Sequence, residues 1–559
     1  MITPPLSISA RPFLTVQVPR SSTICPPSRL TAGILFDRKI RVPSGLMQEP
    51  ILDCIIIPQT AAGGEPMSES LRLALAEQRE GTLQQRLCAA LRQEILSGHL
   101  QPGERLPATR ALARDLGISR TTVVLAYEQL ASEGYLEARV GAGTFVARHL
   151  PVARPTPPAP QPVLPVSAWG RRLLQASRPL LSGHRPAFAF DFQPGVPDWS
   201  EFPRTLWRRL YARCWTQGGV DLARYGEPAG YRPLREALAV ALGRRRGVRC
   251  RPEQIVIVNG TQQALTLLAY VWLNEGETAA VEEPGYPGVR LSLLARGAVV
   301  QPVPVDADGL SVDHLAALRP VPRLVYVTPS HQYPTGATLS LRRRLQLLAW
   351  ARTTGALVVE DDYDSELRYD GRPLPALYGL DRHGGVAYVG SFSDLLLPPL
   401  RVGYVVLPES LVPVFTAAKW VVDRQTPTLE QQVLAALLTS GQFARHLRRV
   451  RRLYQARRDA LLTVLQPLLA EGFTVSGQAA GLYVTLWLPP DVDESQVVAA
   501  AAAQGLGVYP VGPCYAGRAA RGGLVLGFGA LTEDQIRTGA RRLVAVLRAC
   551  RGTRRAAAD

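Results

Sequence analysis

Apolar residues recur every fourth position at Leu83, Leu87, Leu91 and Ile95, a spacing that places them on one helix face. Gly98 follows as the stop signal. The segment Glu104-Arg105-Leu106-Pro107 reads as a short strand leading into a second helix near Thr109–Leu116, which Gly117 ends. A third helix is predicted from Ser119, whose hydroxyl can cap free amides of the first turn. Ile118 ahead of that cap and Val123 inside the helix form a hydrophobic staple. The helix runs to about Ser132, turns Val123, Tyr127 and Leu130 inward, and closes at Gly134. Tyr135–Ala147 then alternates around Gly141-Ala142-Gly143, the pattern of a hairpin.

Residues 151–165 hold seven prolines, which favour an extended, semi-rigid linker. From about 186 to 550 short apolar strands alternate with helical segments. The strands are Ile255–Val258, Thr278–Glu282, Leu324–Thr328, Ala356–Glu360 and Val386–Val389. Such alternation builds an α/β sheet domain. No internal repeat is present. The chain thus divides into an extension at 1–66, a helix-rich module at 67–150, a Pro-rich linker at 151–185, an α/β domain at 186–550 and a tail at 551–559. Methionine occurs only at 1, 47 and 67, and the recognisable pattern starts just after Met67. The native start is therefore expected at Met67, with 1–66 disordered or misassigned.

Composition narrows the class. Of 559 residues 47% are hydrophobic, enough for a large core, and 19% are charged, which excludes wholesale disorder. The longest uncharged stretch, Ser495–Gly517, is broken by glycine and proline, so no membrane span is expected, and no secretory leader is apparent. The seven cysteines are scattered, which fits a reducing cytoplasm and argues against a zinc site or a disulfide framework. Net charge is +17, yet residues 67–150 carry 10 Arg against 9 Asp and Glu, a net of only +1. The basic excess lies further on, in runs such as Arg445–Arg458 that read as solvated helix faces. Only Lys39 and Lys419 are lysines among the 63 basic residues.

Two helices joined by a tight glycine turn, then a glycine-tipped hairpin, make a winged helix-turn-helix whose third helix enters the major groove N-terminus first. Hydroxyls and open amides at that end suit phosphate, and an arginine beside them reaches a phosphate or a guanine edge. Glu104–Arg110, Leu116–Val123, Glu133–Leu136 and Gly141–Val146 resemble the GntR-type winged-helix family. The resemblance implies DNA contacts from Arg110, Arg120, Thr121, Thr122 and the wing near Gly141. Val124 stands where some members carry an arginine, which leaves base preference open. The alternative is a helix-turn-helix used for protein contacts.

The α/β domain offers most of the parts of a pyridoxal 5'-phosphate (PLP) site. Such a site needs a carboxylate on the pyridine nitrogen, a phenol near the ring oxygen and an aromatic face on the ring. It also needs a helix N-terminus with hydroxyls and an arginine for the phosphate, and a lysine to anchor the cofactor covalently. Asn259-Gly260-Thr261-Gln262-Gln263 follows a strand and opens a helix, a phosphate-cradle geometry that any α/β fold also uses. Glu282–Gly288 sets Tyr286 on a rigid turn, or forms a plain surface turn. Glu360–Glu366 puts acids at the end of an apolar strand, where α/β sheets bind ligands. Gly390-Ser391-Phe392-Ser393 and Arg401 follow another strand.

Together with Tyr225–Gly230 and Val327–Gly336, these segments resemble the aminotransferase-like domain of MocR/GabR-type transcriptional regulators, which join a GntR-type reader to a fold-type I aminotransferase fold. The expected fold class is therefore multidomain, a winged helix-turn-helix plus an α/β PLP-dependent transferase-like domain. The resemblance implies Asp361 on the pyridine nitrogen, Tyr363 on the ring oxygen and Tyr286 against the ring. It puts Thr261, Gln262, Ser391, Ser393 and Arg401 around the phosphate, with Tyr225 arriving from a partner subunit. It also implies a homodimer.

One position departs from this pattern. Where the family has lysine after Gly-Ser-Phe-Ser, this chain has Asp394, so no catalytic lysine is assigned. A carboxylate forms no imine, and near an anionic cofactor it repels or takes up a proton. Lys419, in a helix over Ala417–Val422, reads as a surface lysine rather than a substitute. Val525 stands where the family often has an arginine for a substrate carboxylate, with Arg521 nearby.

Two readings follow. The first is a cytoplasmic, homodimeric transcription regulator that binds a promoter operator and uses a catalytically dead aminotransferase-like domain for sensing and dimerisation. The second is a PLP-dependent aminotransferase with an accessory DNA-binding domain, and Asp394 points away from it. Within the first, the domain holds PLP non-covalently, a PLP–amino acid adduct, pyridoxamine phosphate, or nothing; the effector is unnamed. No metal is expected.

Overall fold

The computed structural model describes residues 71, 75, 81–150, 165–181, 187–218, 222–371 and 375–556. The chain separates into two compact units, residues 1–162 and 163–559. The expectations for 1–66 and for nearly all of the proline-rich stretch fall outside the described residues.

In the first unit the three helices are Leu83–Ser97, Thr109–Leu116 and Arg120–Ser132. The first starts in a capping box, Thr82 with Gln85, and ends at Gly98 in the left-handed conformation that glycine adopts without strain. Leu87, Leu91 and Ile95 are buried, while Leu83 sits at the solvent end of the stripe. They pack on Leu112, Val123, Tyr127 and Leu130 of the other two helices. Removing a side chain such as Leu91 from this small core costs about 2–5 kcal/mol. Strands β1 (Leu136–Arg139) and β2 (Gly143–Val146) pair antiparallel, with Leu136 opposite Val146. The strand expected at Glu104–Pro107 does not form. Arg105 makes a single bridge to Phe145, because Pro107 has no amide to donate and the chain enters its helix at Thr109.

The second unit is built on strands β3 (Phe190–Asp191), β4 (Ile255–Val258), β5 (Thr278–Glu283), β6 (Val299–Asp306), β7 (Gly309–Leu310), β8 (Leu324–Val327), β9 (Leu357–Asp362), β10 (Val386–Ser391), β11 (Gly403–Val406), β12 (Thr474–Ser476), β13 (Tyr483–Trp487), β14 (Leu506–Gly507), β15 (Tyr509–Pro510) and β16 (Gly523–Gly527). Eight of them form a mixed sheet in the order β4-β11-β10-β9-β8-β5-β6-β7. β6, β5, β8, β9 and β10 run parallel, and β11 returns antiparallel between β10 and β4. The central parallel strands β8, β9 and β10 are buried along their whole length because helices cover both faces. Val256, Val258, Val281, Val359 and Val389 pack in one cluster with Leu265 and Leu268 of the helix Thr261–Trp272. Val325, Val327, Val358 and Val386 pack in another with Leu347 of the helix Leu341–Thr354. A smaller sheet, β12-β13-β16-β15, carries the C-terminal part.

Two stretches differ from the sequence reading. Residues 168–181 fall in the span read as linker but form a helix beside Pro287–Arg296, with Arg172 donating to Glu275 at 2.8 Å. The proline-rich composition that marks the linker stops at Pro165 and does not reach this segment. The tail read from 551 is largely helical too, since the last helix, Glu533–Ala556, runs through it. Among the described residues, no helix is long and apolar enough to cross a membrane and no cluster of side chains could hold a metal ion.

Candidate functional site

The reader presents its polar groups at the start of the third helix. Ser119 Oγ accepts from the Thr122 amide at 3.1 Å and lies 2.8 Å from Thr122 Oγ1, so the hydroxyls cap the first turn. No acidic residue stands in that turn, which leaves the positive end of the helix dipole uncompensated. Arg120 and Thr121 are exposed, Thr122 is half-buried, and Arg110 is exposed on the preceding helix. Gly141, at φ 77° beside a fully exposed Val140, forms the tip of the wing. Arg105 lies in Glu104–Arg110, a segment that carries the family resemblance, but is not among the contacts expected from sequence. Its guanidinium lies 3.1 Å from where a Cβ on Gly143 would sit, so the wing strand approaches it closely only as glycine.

In the second unit the C-terminal ends of β5, β8, β9 and β10 open onto a cavity of about 280 Å³. The structure brings Thr261, Gln262, Tyr286, Asp361, Tyr363, Ser391, Ser393, Asp394 and Arg401 together in its wall. It does not bring Tyr225, which is exposed beneath the Arg424 guanidinium, 4.9 Å from its ring centre. Tyr326, Thr328, Tyr333 and Tyr483 also line the cavity and lie outside the residues expected from sequence. Thr328 and Tyr333 belong to Val327–Gly336, a segment that carries the family resemblance. Tyr326 and Tyr483 sit inside ordinary apolar strands and give no signal.

Each wall has a physical origin. β9 delivers Asp361 buried, with Oδ2 accepting from Tyr326 at 2.8 Å and Oδ1 without a partner. Burial pushes its carboxyl up to about 7, with Tyr326 opposing and Asp362, Asp364 and Asp394 adding to the rise. Its neighbour Asp362 points to the other face of the strand, where Arg246 and Tyr388 hold it at 2.7 and 2.5 Å. Tyr363 donates to His331 O at 2.9 Å and meets Tyr483 Oη at 2.9 Å. His331 Nδ1 is 2.6 Å from the buried Asp364. Tyr286 and Tyr333 meet edge to face, their centres 6.0 Å apart.

At the other end, Gly260 takes φ 83° ahead of the helix that starts at Thr261. A Cβ there would stand 2.6 Å from Arg401 Nη2, which itself donates to Asn259 O at 2.8 Å. Only glycine admits the guanidinium so close. Ser391 Oγ donates to Ser393 Oγ at 3.0 Å and accepts from the Ser393 amide at 3.1 Å. The Gln262 side chain is committed elsewhere, to Gly288 O and Ser292 Oγ at 3.0 and 2.7 Å. Its backbone amide is what remains for a ligand.

Asp394 also faces the cavity. Burial raises its carboxyl to about 7, with Asp364 adding and His331 opposing. Lys419 is no substitute for a lysine in the wall, and it is not a surface lysine. It is fully buried and pairs with Asp423 at 2.9 Å; Asp423 also accepts from Asn259 and Gln263 at 2.6 Å each. The lysine therefore props the turn that carries Gly260 and does not line the cavity. Arg521 lies over Trp487 and donates to Thr474 at 2.9 Å, also outside the cavity, and Val525 is buried in β16.

These groups fit a phosphorylated pyridine. The orphaned Asp361 Oδ1 suits a protonated ring nitrogen, and Arg401, the two serines and the helix start suit a phosphate. Nothing in the wall can form an imine.

The aminotransferase class I and II family matches residues 208–543, and the bacterial regulatory proteins of the gntR family match residues 83–146. The probable rhizopine catabolism regulatory protein MocR of Rhizobium meliloti is 38% identical over 475 residues, 84% of this chain and 94% of that protein. The HTH-type pyridoxine biosynthesis transcriptional regulator PdxR of Corynebacterium glutamicum is 32% identical over 473 residues, 84% of this chain and 97% of its own. Among solved structures, the α-aminoadipate aminotransferase LysN of Thermus thermophilus, complexed with N-(5'-phosphopyridoxyl)-L-leucine, superposes with a TM-score of 0.63. It shares 31% identity and covers 69% of this chain and 97% of its own.

Proposed function

The chain belongs to the GntR-type regulators that carry an aminotransferase class I and II domain, and on that premise we propose that it is a DNA-binding transcriptional regulator whose larger domain senses a ligand and dimerises without transaminating. The observation that carries the second half is Asp394, in a cavity that otherwise keeps the groups a phosphopyridine needs. Asp394 stands where the family's lysine would be. Lys419 is tied to Asp423, so the domain has no amine for covalent anchorage.

PLP supplies an electron sink when bound. Here Asp361 would hold its ring nitrogen, Tyr363 would face its ring oxygen and Tyr286 its ring. Arg401, Ser391, Ser393 and the amides at Thr261 and Gln262 would hold its phosphate. The Thermus aminotransferase, with a phosphopyridoxyl amino acid in its structure, supports this choice of ligand class. Arg110, Arg120, Thr121, Thr122 and the wing at Gly141 would contact an operator beside the gene in the cytoplasm. Tyr225, exposed on its own subunit, would complete the phosphate site across a homodimer.

The competing reading, an aminotransferase with an accessory reader, is tested by turnover. The full chain with PLP, an amino acid and a 2-oxo acid should give no conversion above the protein-free blank. Sustained turnover would return the protein to the enzymes.

A further inference from the structure

Beyond that reading, and resting on it, the balance of charge in the cavity selects among phosphopyridines. Arg401 is the one cationic side chain in the described wall, and it stands at the Gly260 end. Two carboxyls, Asp361 and Asp394, face the same space. Asp361 has a donor on one oxygen, and its other suits a ring N–H. Asp394 accepts no hydrogen bond and makes no ion pair among the described residues. The basic group that acts on it, His331, is already engaged by Asp364 at 2.6 Å and by Gly477 O at 3.1 Å. One carboxylate in the cavity is thus left for the ligand to match.

We propose that Asp394 makes this cavity a receptor for the amine form of the cofactor, a phosphopyridine bearing a protonated aminomethyl group, in preference to the aldehyde form. A covalently anchoring pocket supplies the ammonium and takes an aldehyde. This pocket supplies the carboxylate, so the ligand must bring the ammonium. Pyridoxamine 5'-phosphate has a phosphate for Arg401, a ring nitrogen for Asp361 and an amine for Asp394. PLP offers only a neutral carbonyl to that carboxylate and gains no imine in exchange. A buried, charge-assisted pair of this kind is strong only when both partners are present. The ligand binds and dissociates unchanged, and no bond is made or broken.

The test is calorimetric titration of the full-length protein with pyridoxamine 5'-phosphate, PLP and pyridoxine 5'-phosphate. The last shares ring and phosphate but carries a neutral hydroxymethyl group. Pyridoxamine 5'-phosphate should bind about tenfold or more tightly than either PLP or pyridoxine 5'-phosphate, and tighter binding of PLP would overturn the proposal. In Asp394→Asn the ratio to pyridoxine 5'-phosphate should fall to about twofold or less, and in Asp394→Glu it should persist. Pyridoxine 5'-phosphate binding reports that each variant is folded. Equal affinities in the natural protein, or a preference that survives Asp394→Asn, would overturn the proposal and leave the phosphopyridine pocket standing. Failure of all three compounds to bind would overturn both.

Discussion

Tyr326 donates to Asp361 Oδ2 at 2.8 Å and leaves Oδ1 of the same carboxylate buried with no partner. A buried acceptor left unpaired costs roughly 1–3 kcal/mol, and one that faces a cavity is placed to recover that from a ligand's donor. A protonated pyridine nitrogen is that donor. Asp361→Ala should therefore weaken pyridoxine 5'-phosphate about tenfold or more. Tyr326→Phe, which removes a donor on the oxygen turned away from the ligand, should weaken it less. Titration of the two variants checks the order, and a larger effect of Tyr326→Phe would contradict the assignment.

The cavity carboxyls make stability depend on pH. Burial holds Asp361 and Asp394 up to about 7, and Glu282 in β5 and Glu360 beside Asp361 in β9 rise to about 7 as well. In the unfolded chain they release their protons near ~4. Between these limits the native state binds more protons, so stability falls as pH rises and the fall ends above about 7. Asp394 is faced by Asp361, Asp364, His331, Arg401 and the phenols of Tyr286, Tyr333 and Tyr363. Asp394→Asn removes the desolvated charge, so its urea midpoint should exceed that of the natural protein at pH 8 and converge with it at pH 5. Equal differences at both pH values would refute the cause.

Arg246 and Asp362 form a buried pair at 2.7 Å behind the site; Arg246 also donates to Ser330 Oγ, and Tyr388 donates to the same Asp362 oxygen. Arg246→Leu leaves Asp362 uncompensated and should cost about 3–5 kcal/mol. Chemical denaturation measures it; a loss below about 1 kcal/mol would assign the pair a surface-like value.

On the reader, Arg120→Ala and Arg110→Ala should each weaken operator binding. An arginine that holds a phosphate should, when removed, lower the slope of log affinity against log salt by about 1. One that reads a base edge should instead relax sequence preference with little change of slope. Ser119→Ala should destabilise the reader by about 1 kcal/mol because the helix cap is gone. Fluorescence anisotropy at three salt concentrations separates these effects.

Much of the fold is legible from residue order, for local reasons. Ser119, Gly98, Gly117 and Gly134 are caps and stops whose effect is confined to one turn, and the helices begin and end at them. The strands that carry Asp361 and Ser391 announce themselves as apolar runs ending in polar residues. What stays hidden depends on distant partners. Lys419 reads as a surface lysine because Asp423, one helical turn on, is an ordinary helix-face pair, and only the fold brings Asn259 and Gln263 around it and buries it. The strand at Glu104–Pro107 reduces to a bridge because its pairing depends on β2. Tyr326 and Tyr483 look like core aromatics until the sheets bring them to one cavity. The helix at 168–181 is obscured by the prolines before it.

The most direct test of the account as a whole is a gel-shift titration of the full-length protein on the DNA upstream of its own gene. The account predicts specific retardation at moderate salt that resists excess unrelated DNA and weakens steeply as salt rises. Absence of any retardation beyond that of unrelated DNA would contradict it.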